Sequence, residues 1–184
     1  MKGQVKLKTF ANPVYDPVAG ILKRLVWYVI ARIFIKHDFP FPQSFKIFLL
    51  QKFGAKIDVG LVIKPKVNIK YPWLLSIGDN TWIGEQVWID NLVPVAIGNN
   101  CCLSQGAMLL TGNHDYKKSS FDLITGKITL EEGVWVGAKA IVCPGVTMAS
   151  HSIASVGSII SKNTEPYGIY AGNPASKIRM RNIA

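Results

Sequence analysis

From residue 57 onward an aliphatic side chain returns every six positions: Ile57, Ile63, Ile69, then Ile77, Ile83, Ile89, then Ile97, Leu103, Leu109, and after a gap Leu130, Val136, Val142, Met148, Ala154 and Ile160. A small or acidic residue follows most of these, and a small or β-branched one stands four positions on. A helix needs apolar recurrence near 3.6 residues and a half-buried strand needs simple alternation, so neither is the organising unit. A short strand and a tight corner in every six residues satisfy the pattern, repeated as a parallel β-solenoid. The step stretches to eight between Ile69 and Ile77 and between Ile89 and Ile97, and to twenty-one between Leu109 and Leu130. Each stretch falls on every third step, which predicts three strands per turn, about five coils, and all insertions stacked at one corner of a triangular prism.

The segment before the prism has a different period. Residues 18–36 read as a helix with Leu22, Leu25, Val26, Val29, Ile30 and Ile33 on one broad apolar face. Lys23, Arg24, Arg32 and Lys36 lie opposite, with Trp27 and Tyr28 among them. Phe39-Pro40-Phe41-Pro42 ends it, because proline biases the preceding residue away from helical geometry. A second apolar segment, residues 44–53, follows. The chain thus divides into a basic helical segment at 1–56, the prism at 57–165 with a polar loop at 111–129, and a tail at 166–184. The helices have two readings, as a cap for the open end of the solenoid or as a contact with anionic lipid.

Charge changes the picture only by where it lies. The 184 residues carry a formal +10, which invites a nucleic-acid partner. Residues 1–56 hold ten basic and two acidic residues, so +8 belongs to the helical segment and the prism is nearly neutral. No nucleic acid is expected. Three cysteines, two of them adjacent at 101 and 102, argue for reduced thiols and a cytoplasmic setting. The most apolar stretch, residues 20–35, is broken by Lys23, Arg24 and Arg32, so it is not read as a membrane span. The three histidines are far apart, and no metal is expected.

With these motifs in place the chain resembles the hexapeptide-repeat acyltransferases, and among them the acetyltransferases of colanic acid and other exopolysaccharide pathways. It is also similar to maltose and galactoside O-acetyltransferases. The resemblance implies a left-handed parallel β-helix, a homotrimer and acetyl-CoA as cosubstrate. The run Thr111-Gly112-Asn113-His114-Asp115-Tyr116 looks like the segment that carries the catalytic histidine, so His114 is the expected general base. Histidine suits the task because its ordinary pKa near 6.5 leaves it mostly neutral and able to accept a proton. Residues 133–138, 144–147 and 170–175 are similar to the runs that line the CoA groove. Carried over, Trp135 flanks the pantetheine, the Ala138 N–H faces the thioester carbonyl, Val156, Ser161 and Lys162 contact the CoA arm, and Arg179 lies near a phosphate. Asn91, with Asp90 beside it, is expected to bind the acceptor, since a carboxamide can orient a hydroxyl. The acceptor implied is a sugar or a lipid-linked oligosaccharide, with peripheral contact to an anionic membrane. The alternative is a catalytically inactive scaffold of a polysaccharide complex.

Overall fold

The computed structural model describes residues 4–10, 12 and 15–184. The repeat folds as a left-handed parallel β-helix with three faces. The first face stacks Lys56–Ile57, Leu75–Ile77, Val95–Ile97, Ile128–Leu130 and Thr147–Met148. On the second lie Val62–Ile63, Trp82–Ile83, Cys102–Leu103, Trp135–Val136 and Ile153–Ala154, and on the third Asn68–Ile69, Trp88–Asp90, Met108–Leu110, Ile141–Val142 and Ile159–Ile160. Register pairs like with like: Ile57 sits under Ile77 and Ile97, Ile63 under Ile83 and Leu103. All fifteen periodic positions therefore point inward, and their columns are the core. Five coils are complete, and Gly168–Gly172 adds a sixth rung to the second face before folding back antiparallel on Ala175–Met180.

The corners explain the rest of the pattern. The third residue after each inward position turns left-handed wherever the six-residue step is kept. Glycine fills that place at Gly60, Gly106, Gly133, Gly145 and Gly157, and Lys66, Asn80, Gln86, Asn100, Lys139 and His151 fill it elsewhere. The next residue is buried in the corner, as Val67, Thr81, Val87, Ala107 and Ala140 are, which favours small or β-branched side chains, with Leu61 at that place in the first coil. Gly137 follows its inward residue because a Cβ there would come within 2.6 Å of the Ala154 carbonyl one coil above.

A solenoid leaves a rung of backbone carbonyls open at its first coil, and unsatisfied buried carbonyls are costly. The helices α1 (Ile21–Ile30, continued by a π-turn over Ala31–Ile35) and α2 (Gln43–Lys52) meet that need with one donor per face. Gln51 Nε2 donates to Ile57 O at 3.1 Å, Lys46 Nζ to the carbonyls of Ile63 and Lys64 at 3.3 Å each, and the Trp27 indole N–H to Ile69 O at 3.1 Å. At the other end Asn163 and Thr164 side chains accept from the N–H groups of Thr147 and Ala149, both at 2.8 Å.

The helical wheel of α1 gives the wrong buried face. Trp27, Ala31 and Ile35, one helical stripe, are buried against the prism, whereas Leu22, Leu25, Val26, Val29 and Ile33 are exposed. The docking stripe is chosen by the need to bring an indole donor under Ile69, with alanine at position 31 leaving room for the coil, and not by summed hydrophobicity.

Candidate active site

The long insertion is a β-hairpin at its base, where a polar loop was expected. Gly112–His114 pairs antiparallel with Leu123–Thr125, and His114 stands opposite Leu123. Thr111 anchors the hairpin: it is fully buried, its hydroxyl donates to Asp90 O at 2.7 Å and accepts from Leu92 N at 2.8 Å.

The His114 ring is held on three sides. It stacks on Phe121 with centroids 4.5 Å apart and planes within 8°. Phe10 meets it edge-on at 5.9 Å, at the end of a 3-10 turn over Leu7–Thr9 that is tied to the hairpin where Lys6 N–H donates to Ser119 O at 2.7 Å. Its Nδ1 lies 2.8 Å from the Phe121 carbonyl. A carbonyl only accepts, so Nδ1 carries the proton and the neutral ring keeps its lone pair on Nε2. Phe121 sits at φ 53°, an uncommon conformation for a bulky residue. Asp115 is a turn acid: its Oδ1 accepts from Lys117 N at 3.0 Å and does not reach the imidazole as an orienting partner.

Asn91 and Asp90, the residues expected at the acceptor, lie buried at the enlarged corner of the second coil. Asn91 is fully buried, and its carboxamide accepts from Tyr71 N at 3.0 Å and donates to Tyr71 O at 2.6 Å. Each end thus bonds the backbone one coil below, so the side chain pins the enlarged corner. Asp90 is buried too, with Oδ1 2.9 Å from Lys70 Nζ, while its carbonyl takes the Thr111 hydroxyl. The pair supports the hairpin that carries His114.

The residues expected on CoA spread over two edges of the prism. Trp135 projects outward from the second face, about two-fifths exposed, with its indole N–H on Ser104 Oγ at 2.9 Å. Ala138 and Val156 stack at the corner between the second and third faces, where Gly157 N donates to Ala138 O at 2.9 Å. The Ala138 N–H donates to no other backbone carbonyl among the described residues. Ser161 and Lys162 are exposed at the opposite corner, above the hairpin, and Arg179 is exposed on the last strand. Lys177 is tied to Glu165, and Arg181 donates to the carbonyls of Gly133 and His151 at 3.0 and 3.2 Å, so neither is a free tail cation.

Sequence reasoning missed Trp82, which occupies the same repeat position as Trp135 and is 60% exposed, in the shared run Trp-Ile/Val-Gly. Beside the Trp82 indole a groove of about 320 Å³ runs over Val62, Lys64, Cys102, Leu103 and Ser104. It also missed Phe10 and Phe121, whose roles rest on through-space contacts to His114. Burial pushes the Cys101 thiol up to about 11, and it raises those of Cys102 and Cys143 as well. A protonated thiol is a poor nucleophile, so no cysteine here is set up to carry an acyl group. Among the described residues no three His, Cys, Asp or Glu side chains gather as metal ligands.

No family model matches the chain. It is 36% identical over 165 residues to an Escherichia coli K12 protein named as the colanic acid biosynthesis acetyltransferase WcaF, covering 88% of each chain. The galactoside O-acetyltransferase of Escherichia coli K12 is 27% identical over 150 residues, 79% of this chain and 73% of that one. Among solved structures, a hexapeptide-repeat acetyltransferase of Vibrio cholerae O1 biovar eltor in complex with acetyl coenzyme A superposes with a TM-score of 0.80 at 17% identity, covering 96% of this chain and 97% of that one.

Proposed function

The chain belongs to the hexapeptide-repeat acetyltransferases and uses acetyl-CoA as cosubstrate, and from that premise we propose that it acetylates a sugar hydroxyl during assembly of a surface polysaccharide, with His114 as general base. The observation that carries this reading is the Nδ1 contact to Phe121 O at 2.8 Å, which leaves Nε2 as a base on a rigid hairpin. Acetyl-CoA supplies an acetyl group activated as a thioester. Nε2 takes the proton of the acceptor hydroxyl as its oxygen bonds to the acetyl carbon, the carbon–sulfur bond breaks, and the same proton passes to the departing sulfur. The Ala138 N–H, with no backbone acceptor of its own, serves the carbonyl oxygen that gains charge. Trp135, Val156, Ser161 and Lys162 hold the pantetheine arm and Arg179 pairs with a phosphate. The high thiol pKa values support direct transfer over an acyl-cysteine route.

One chain puts His114 and Ala138 at different edges of the prism, so we place the working site between copies in a homotrimer. The outward columns suit such packing: Val62, Trp82, Cys102, Trp135 and Ile153 on the second face and Trp88, Met108, Ile141 and Ile159 on the third are largely apolar. The names of WcaF and the galactoside enzyme favour a sugar acceptor. Among the described residues no helix is long and apolar enough to cross a membrane. The basic amphipathic segment supports peripheral contact with an anionic membrane. Thioester release with purified protein tests the acceptor: sugar glycosides should accelerate it while serine and simple amines should not, and the reverse order would remove the sugar assignment.

A further inference from the structure

Between α1 and the lower third face lies a cavity of about 500 Å³. Arg24, Lys36 and Lys70 line it together with Asp90, and Leu25 and Tyr28 stand at its helical side. Asp90 Oδ1 lies 2.9 Å from Lys70 Nζ as an ion pair but, like Arg24 Nε, makes no hydrogen bond. Arg24 and Lys36 have no carboxylate partner among the described residues, and the Arg24 Nε is buried without a hydrogen bond. Burial above all, and then the charges of Arg32 and Lys70, lower the pKa of Lys36. Three cations against the single carboxylate of Asp90 leave the cavity with an excess of positive charge that calls for an anion.

The mouth of the cavity shows what else that anion carries. Leu22, Leu25, Val26 and Val29 expose a continuous apolar strip along α1, and Tyr28 is 59% exposed beside it. Residues 21–36 contain Lys23, Arg24, Arg32 and Lys36 and no acid, so the strip is flanked by uncompensated positive charge. A soluble anion would satisfy the cations and leave the strip in water. An anionic bilayer satisfies both, with the helix in the interfacial plane and tyrosine at headgroup level.

Resting on the membrane contact read above and sharpening it to one site, we propose that the cavity under α1 binds the phosphate of an anionic phospholipid through Arg24 and Lys36, with the lipid's chains against the exposed strip of α1. Such a site supplies an orientation on the membrane that diffuse charge does not.

The test is flotation of full-length protein with vesicles of phosphatidylcholine alone, with added phosphatidylglycerol, or with added oleate matched for surface charge. Binding should need phosphatidylglycerol, with oleate clearly weaker. The double variant Arg24→Gln/Lys36→Gln should lose about 30-fold in partitioning, whereas Lys8→Gln/Lys52→Gln, the same charge loss outside the cavity, should lose at least about tenfold less. Melting temperature and acetyl-CoA affinity, read on the same samples, separate loss of the site from loss of fold. Equal losses in the two double variants would overturn the cavity site while leaving a diffuse membrane contact intact. So would equal binding to oleate vesicles, or tight binding of inorganic phosphate without vesicles. If Leu25→Glu/Val29→Glu changes the particle mass but not flotation, the strip is a protein interface and the proposal is wrong.

Discussion

The carbonyl of Phe121 faces His114 Nδ1 and so favours a proton on that nitrogen, and it is aimed by a backbone at φ 53° and a ring stacked at 4.5 Å. Phe121→Ala should let the imidazole wander, lowering kcat about 10- to 100-fold with little change in acetyl-CoA affinity, as steady-state kinetics with calorimetry will show. Cys101 gives a second residue-scale prediction. Its thiol is raised from 9.0 to about 11 by burial, so between those values the native chain keeps a proton that the unfolded chain has lost. Stability therefore falls as pH rises through that window, by about 1.4 kcal/mol per pH unit for this group. Cys101→Ala, matching Ala107 and Ala140 at the same corner place, should flatten that part of the slope in denaturant melts from pH 8 to 11. Corners carry a cost of their own: Gln86 is exposed at φ 59°, and Gln86→Gly should stabilise by about 0.5–1 kcal/mol in urea titrations.

At the scale of elements, the helices are a cap that works by three side-chain donors. Trp27→Phe keeps a ring against Phe53 but orphans the Ile69 carbonyl, and should cost about 1–3 kcal/mol by denaturant unfolding. The prism was legible because its period writes the same geometric demand many times: inward aliphatic, close approach, left-handed corner, small filler. Two elements were less so. The hairpin has too few residues per strand for a period, and its partners, Phe10 and Phe121, are set by contacts across space. In α1 the hydrophobic wheel pointed outward, because the buried stripe answers to a single carbonyl on the first coil. Asn91 likewise answers a local backbone demand. An asparagine beside an enlarged corner reads as a ligand, yet the corner itself needs one donor and one acceptor for Tyr71, and the carboxamide supplies both.

At the scale of the molecule, a nearly neutral prism carries a basic helical segment of +8, so three copies would bring about +24 to one side of an assembly if the trimer holds. A site shared between neighbours also predicts complementation. His114→Ala and Val156→Asp, each inactive alone, should recover activity when refolded together, with about a quarter of sites intact in random mixtures. The claim on which the rest depends is that His114 removes the acceptor's proton. Single-turnover acetyl transfer by His114→Ala, with the dissociation constant of acetyl-CoA measured on the same samples, tests it most directly. The rate should fall about 10²- to 10⁴-fold with acetyl-CoA binding unchanged; a rate near that of the unaltered protein would contradict it.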